Sequence, residues 1–301
     1  MDTRLAELLQ LLDLERLELN LFRGVSHDIG VPQVFGGQVL GQALVAASRT
    51  VEDRLVHSLH AYFLRRGDFD APIVYQVERT RDGGSFTSRR VVAIQHGQPI
   101  LTMSSSFQAP EPGSEHQASM PDVPPPEDLA DVGELSAKVL EQVPEKVRRF
   151  FEHQRPFEFR HVRPPDYRKP EKREPVKHVW FRVVDRLPDD QALHRCLLAY
   201  VSDYHLLDTA NLPHGQPWFE LQMASIDHAL WFHRELRMDE WLLYSIDSPS
   251  RSGARGFARG SLFTRDGALV ASVAQEGLIR ERPGGWQGTR PPGAAAQGGA
   301  P

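Results

Sequence analysis

The sequence predicts an α+β fold in which one unit, an antiparallel meander wrapped round a buried helix, occurs twice in tandem. Three observations lead there. The stretch GARGFARGSLFTRDGALVASVAQEGLIR, 253–280, reads as two strands closed by Asp266-Gly267, the residue pair that a two-residue type I′ turn prefers. Sliding the chain along itself lays GGSFTSRRVVAIQHGQPILTMSSSFQ beneath that stretch, and VHSLHAYFLRRGDFDAPIVYQVER beneath IDHALWFHRELRMDEWLLYSIDS, in the same order and at a constant offset. In VPQVFGGQVLGQALVAASRTV, finally, Val39, Leu40, Ala43, Leu44 and Ala47 recur at helical spacing on a small, apolar face, the pattern of a helix buried along much of its length.

Taken in order, 2–12 read as a short amphipathic helix and Leu17, Leu19 and Leu21 as one strand. Gly36-Gly37 marks the start of the buried helix, where free backbone N–H groups and the helix dipole favour negative charge. Four strands then close an N-terminal unit at 1–108. The segment 109–128, APEPGSEHQASMPDVPPPED, is too rich in proline and acid for packed structure and reads as a linker. A basic, aromatic-dotted stretch follows, VRRFFEHQRPFEFRHVRPPDYRKPEKREPVK; it reads as mixed helix, strand and solvated loop, with a phosphate-contacting surface as the sharper alternative. The second unit, within 129–280, has its strand at VWFRVVDRL and its helix at DQALHRCLLAYVSDYHLL. The tail, 281–301, is dense in Gly, Pro and Ala and is expected to be disordered.

Bulk composition narrows the function. With 301 residues, 40% hydrophobic and 25% charged, the chain has the balance of a soluble globular protein, and its net charge of −5 argues against a nucleic-acid or anionic-membrane protein. The single cysteine, Cys196, lies in the apolar run ALHRCLLAY and reads as a buried structural thiol; a reducing, cytoplasmic setting follows. The N-terminus interleaves acids and arginines with its leucines, so neither a signal peptide nor a membrane span is expected there. With no HExxH or Cys-x-x-Cys spacing, neither metal nor cofactor is expected, and His57, His60, His228 and His233 read as satisfied strand histidines.

Register sharpens one position. If the Asp266-Gly267 turn sets the pairing, Gln275 faces Ala258 and shares its side of the strand with Leu269, Ala271, Val273, Gly277 and Ile279. A buried amide without a partner costs about 1–3 kcal/mol, so this one needs a reason.

The chain resembles the acyl-coenzyme A thioesterase II family, double-hotdog proteins, over nearly all of 1–280. The residues that carry the resemblance are LFRGVSHDIGVPQVFGGQVLGQAL, VHSLHAYFLRRGD, RDGGSFTSRRVVAIQHGQPI with SSFQAPE, then IDHALWFHR, WLLYSIDSPS, GARGFARG and DGALVASVAQEG. The resemblance implies a tandem double hotdog, a homo-oligomer, and hydrolysis of medium- to long-chain acyl-coenzyme A by an activated water with no covalent intermediate. It also implies that an aspartate, a threonine and a glutamine of the second unit hold that water. They map to Asp203, Ser225 and Gln275, with serine standing in the threonine position.

The residues themselves support the same set. Asp203 closes a largely apolar helix, where a carboxylate is partly desolvated as a general base requires. Strand alternation gives Ser225 the same-face neighbours Met223, Ala229 and Trp231. By analogy with the family, backbone N–H groups near Gly36-Gly37 are the expected oxyanion donors, and Gln38 and Gln42 read as structural or substrate-lining rather than catalytic, with Gln38 and the two glycines as the substrate-binding set. In the first copy Ser105 stands at the Gln275 position and Leu55 at the Ser225 position, and its helix has no carboxylate, so one active site per chain is expected. Two alternatives belong to other classes. An enoyl-coenzyme A hydratase of the same fold would use an Asp-x-Asn-Pro-Leu-His run, which DTANLPH at 208–214 matches only loosely, and a non-catalytic acyl-coenzyme A binding module would tolerate loss of Asp203. A serine hydrolase lacks its Gly-x-Ser-x-Gly elbow here.

Overall fold

In a computed structural model, residues 1–281 are described apart from 32, 132–139, 142, 154 and 167–169. The expected tail lies outside the described residues except Glu281, the last residue of a strand. The first unit runs α1 (Thr3–Leu12), β1 (Glu15–Glu18), β2 (Leu21–Gly24), α2 (Gly36–Ser48), β3 (Leu55–Phe63), β4 (Ile73–Asp82), β5 (Phe86–Gln95) and β6 (Gln98–Gln108). The second runs α3 (Glu145–Glu152), β7 (Phe157–His161), β8 (Val176–Val183), α4 (Gln191–Val201), β9 (Leu221–Ser225), β10 (Asp227–Phe232), β11 (Leu242–Ser252), β12 (Arg255–Thr264) and β13 (Leu269–Glu281).

Both units are antiparallel meanders round a helix, and β3 pairs with β10 to join them into one sheet of order β1-β2-β4-β5-β6-β3-β10-β13-β12-β11-β8-β7, with β9 on β13. The order is near-symmetric about the β3–β10 seam. The two helices lie against each other inside the curve of this sheet, as a tandem double hotdog requires. Among the described residues no helix is long and apolar enough to cross a membrane.

Helix α2 is buried at Gly37–Leu44 and at Ala46–Ala47, and small residues let α4 approach closely. A Cβ on Gly37 would lie 2.1 Å from the Tyr200 carbonyl oxygen; one on Gly41 would lie 3.3 Å from Tyr200 Cβ. The N-terminus of α2 therefore meets the C-terminal end of α4. Cys196 sits between the helices as expected of a structural thiol, its pKa pushed up to about 12 by burial.

Three local expectations are corrected. Leu17 and Leu19 do not share a strand with Leu21: the chain turns after β1 to form a hairpin, leaving both leucines exposed. The proline-rich segment 109–128 packs rather than floats. Gln117 bonds the Gly267 carbonyl and the Leu269 amide, while Met120 and Val123 cover Trp180, Leu243 and Phe263 on the outer face of the second unit.

The third concerns the turn before β13. Only Gly267 has positive φ, 91°, and Thr264 and Ala268 close a three-residue loop in place of a two-residue type I′ turn. A bulge between Leu262 and Phe263 then adds one residue back, so Gln275 still faces Ala258. The same bulge puts Leu269 on the outer face with Phe263, whereas Ala271, Val273, Gly277 and Ile279 stay inside with Gln275. Residue pairs with positive φ close the hairpins at His96-Gly97 and Gly253-Ala254.

The helix crossing makes a prediction. Gly37→Ala should destabilise by about 3 kcal/mol or more, the upper end of overpacking costs, because the obstructing atom is backbone; Gly41→Ala should cost less. Urea denaturation checks it, and equal midpoints for the two variants would mean that α2 is not held this tightly against α4.

Candidate active site

The chain brings Asp203, Ser225 and Gln275 together. Helix α4 is capped at its start by the Asp190 side chain and ends at Val201, and Asp203 follows two residues later with its side chain only 6% exposed. Its Oδ1 accepts from Gln275 Nε2 at 2.7 Å and from Ser225 Oγ at 3.2 Å; its Oδ2 accepts from the Gly37 amide at 2.9 Å. Three charge-assisted hydrogen bonds and the N-terminus of α2 offset much of the cost of burying this charge.

Gly37 thus does something different from what the sequence suggested. The Gly37 N–H is spent on the protein's own carboxylate, and Gly36 packs so closely that a Cβ there would lie 2.8 Å from Asp203 Oδ2. Gln38 is fully buried and tied to backbone, its Oε1 accepting from the His27 amide and its Nε2 donating to Val25 O, so it does not line a site as a free amide. Gln42 is likewise structural: its Nε2 donates to Leu11 O and Val25 O, and its Oε1 accepts from the Tyr75 hydroxyl.

Ser225 reaches the site by a route that simple alternation misses. Ser225 pairs with Gly277 and Ala229 with Ala274, so one extra residue lies on the β9–β10 side, a bulge at Ile226. Past it the inward face changes parity. Ser225 therefore shares the interior with His228, Leu230 and Phe232, while Ala229 and Trp231 face outward, where Trp231 meets the His60 ring.

His228, read from the sequence as a satisfied strand histidine, has its hydrogen-bond partners within this cluster. It is completely buried, with Nε2 2.9 Å from Ser202 Oγ, and Nδ1 3.1 Å from Gln275 Nε2 and 3.9 Å from Asp203 Oδ1. Burial holds its pKa down to about 4, so it is neutral at pH 7. Its place opposite Gln275 was the available clue, but the bulge that creates that place leaves no mark in the residue pattern.

Among the described residues, the corresponding spot of the first unit holds different side chains. Two residues past the end of α2 stands Thr50, whose hydroxyl accepts from the buried Arg89 guanidinium at 2.8 Å, and Ser105 donates to the Arg89 carbonyl at 3.5 Å. The loose hydratase-like run is also committed elsewhere. Asp208 receives Lys177 Nζ at 2.6 Å and Asn211 accepts from Arg251 at 3.2 Å. In the basic stretch, Arg163 is paired with Glu171 and Arg160 holds the Pro126 and Leu129 carbonyls, which favours the structural reading of these cations. Among the described residues no group of three or more His, Cys, Asp or Glu side chains could hold a metal ion.

Comparison with known proteins places the chain in a family. A family model for the acyl-CoA thioesterase N-terminal domain matches residues 24–108, and one for acyl-CoA thioesterase matches residues 148–278. The acyl-CoA thioesterase 2 of Haemophilus influenzae is 43% identical over 92% of this chain and 98% of its own. The chain belongs to the acyl-CoA thioesterase family. A solved acyl-CoA thioesterase II, TesB2 of Mycobacterium marinum, aligns at 45% identity with a TM-score of 0.75 over 92% of this chain and 99% of its own. The fold alone extends further, to a hot dog protein from Alicyclobacillus acidocaldarius at 19% identity and a TM-score of 0.74. In this thioesterase-family chain the site lies where the two hotdog units meet, with the carboxylate from one and the helix N-terminus from the other.

Acid should loosen that arrangement. Burial lowers the pKa of His228 to about 4 and of His161 to about 3, and lowers His57, His178 and His194 as well. Each of these groups protonates at lower pH when folded than when unfolded, where it does so near pH 6.5, so the unfolded state binds more protons and stability falls as pH drops from 6.5, for His228 down to about 4. The denaturation midpoint at pH 5.5 should be lower than at pH 7.5; a midpoint that is flat or rises on acidification would contradict the buried neutral histidines.

Proposed function

We propose that the chain hydrolyses acyl-coenzyme A thioesters, with Asp203 as the general base that takes a proton from the attacking water. The carrying observation is a buried carboxylate that three donors from three different elements hold in one orientation: Ser225 from β9, Gln275 from β13 and Gly37 from α2. The enzyme class also follows from membership of the family, and the hydratase and binding-module alternatives lose support because their residues are occupied structurally or because the base is retained.

In this reading water approaches the thioester carbonyl while donating to Asp203. The carboxylate receives the proton as the new C–O bond forms, the carbonyl oxygen becomes an oxyanion, and collapse of the tetrahedral intermediate breaks the C–S bond. The proton held by Asp203 then passes to the leaving thiolate, giving free acid and coenzyme A with no covalent intermediate. Fixing the base and water in one geometry supplies most of what a weak nucleophile lacks. Because the Gly37 amide is engaged, the oxyanion reading narrows to the neighbouring Gly36 N–H. Serine at 225 still supplies the hydroxyl that donates to Asp203.

Two wider features belong to the same proposal. A single, buried cysteine fits a cytoplasmic setting, and the rings of Tyr62 and Phe86, 57% and 44% exposed on the outer side of the first unit, suit contact with a second copy in a homo-oligomer.

Thiol release from medium- and long-chain acyl-coenzyme A tests the assignment. Asp203→Asn, folded as judged by circular dichroism, should lose a factor on the order of 100 or more in kcat, in line with general-base contributions. Ser225→Thr should keep activity within about 10-fold, because the donor to Asp203 is retained. Undiminished activity in Asp203→Asn would remove Asp203 as the base, and an inactive wild type would remove the hydrolase reading.

A further inference from the structure

Gln275 has an amide of two ends, and only one of them has protein partners. Its Nε2 lies 2.7 Å from Asp203 Oδ1 and 3.1 Å from His228 Nδ1, whereas Oε1 is buried without a hydrogen-bond partner. Which end points where is decided by chemistry. The chain of contacts begins at the Ala199 carbonyl and ends at the Asp203 carboxylate, and both are acceptors only. Between them stand the Ser202 hydroxyl, 3.0 Å from Ala199 O and 2.9 Å from His228 Nε2, then the imidazole, then the amide.

The four links contain four hydrogens: one on the hydroxyl, one on a neutral imidazole and two on the amide nitrogen. A single assignment satisfies all of them. Ser202 donates to Ala199 O, His228 donates through Nε2 to Ser202, and Gln275 donates to His228 Nδ1 and to Asp203 Oδ1. Flipping the amide would set its oxygen against the carboxylate and against the bare imidazole nitrogen together.

From this we infer that His228 is a positioning residue: held by Ser202 in the Nε2–H form, it fixes the Gln275 amide so that its carbonyl oxygen alone is offered to the reacting water. Gln275 then accepts a hydrogen bond from the water and does not donate to the developing oxyanion. The water's two hydrogens have two destinations, Asp203 for the one transferred and Gln275 Oε1 for the one retained. Its lone pair is left for the thioester carbon. The Tyr244 hydroxyl, which donates to the Ser202 carbonyl at 2.9 Å, anchors the backbone at the far end of this chain.

The inference rests on the water-activating reading of Asp203, and the experiment separates the two. In thiol-release kinetics, His228→Leu should lower kcat about 10-fold or more with KM little changed, as removal of an outer partner of a reacting group typically does. His228→Asn, whose side-chain oxygen can stand near the Nδ1 position, should recover much of that loss. In a Gln275→Ala background His228→Leu should cost nothing further, since His228 acts only through Gln275.

Losses that multiply in the double variant, or full activity in His228→Leu while Gln275→Ala is impaired, would overturn the role of His228. Full activity in Asp203→Asn would instead overturn the reading on which it rests. Should His228→Leu fail to fold, long-range proton–nitrogen NMR of the wild-type histidines decides alone. A pyrrole-like Nε2 with a bare Nδ1 is required for His228, and the opposite tautomer or a doubly protonated ring would overturn the proposal.

Discussion

The arrangement depends on one contact, the Asp203 carboxylate against the first turn of α2. Helix α4 carries its own N-terminal cap, Asp190, bonded to the Ala192 and Leu193 amides. Helix α2 begins after Phe35, which cannot cap, and its Gly37 amide is met instead by Asp203 from the other unit, 166 residues away in the chain. A helix start with unsatisfied N–H groups and a buried carboxylate with no cation of its own are each costly alone, and here each answers the other. The glycines make this possible: any side chain at 36 would strike the carboxylate, and any at 37 would strike the Tyr200 carbonyl.

From that contact the division of labour between the two units follows. The sheet order is nearly symmetric, and the helices are related in the same way, yet the corresponding spots hold opposite chemistry. Past α2 stands Thr50 beneath the buried Arg89; past α4 stands Asp203 beneath Gln275 and Ser225. One unit contributes the donors of a helix start and the other contributes the buried carboxylate. The duplicated fold thus gives two inequivalent halves of one candidate site.

Much of this was legible in the residues. The buried helix showed in its small apolar spacing, the duplication in the repeated order of strands, and Gln275 as an amide out of place among Ala271, Val273 and Ile279. What was hidden about strand facing has one physical cause. Strand reading assumes a strict period of two, and two bulges break it, between Leu262 and Phe263 and at Ile226. At the first, a three-residue turn and the bulge compensate, so the facing of Gln275 and Ala258 came out right although the turn type did not. At the second nothing compensates, so Ser225 was given Ala229 and Trp231 as same-face neighbours in place of His228 and Leu230. The packing of 109–128 was missed for a different reason: proline content reports what a segment cannot donate, not what surface its Met120 and Val123 can cover.

The bulge at Ile226 is also what the chemistry needs. A regular strand would point Ser225 and His228 to opposite faces, since they lie three positions apart. With the extra residue both face inward across from Gln275 and Gly277, and the chain is held in that shape by the Asp227 carboxylate, which accepts from the Glu276 amide at 2.7 Å, and by Ile226 N donating to Glu276 O at 2.9 Å. Gly277 contributes by having no side chain, leaving room where Ser225 and the Leu207 side chain come in over the sheet. A local irregularity in pairing thereby brings a hydroxyl to Asp203 and an imidazole to the Gln275 amide from the same face, which regular geometry could not do.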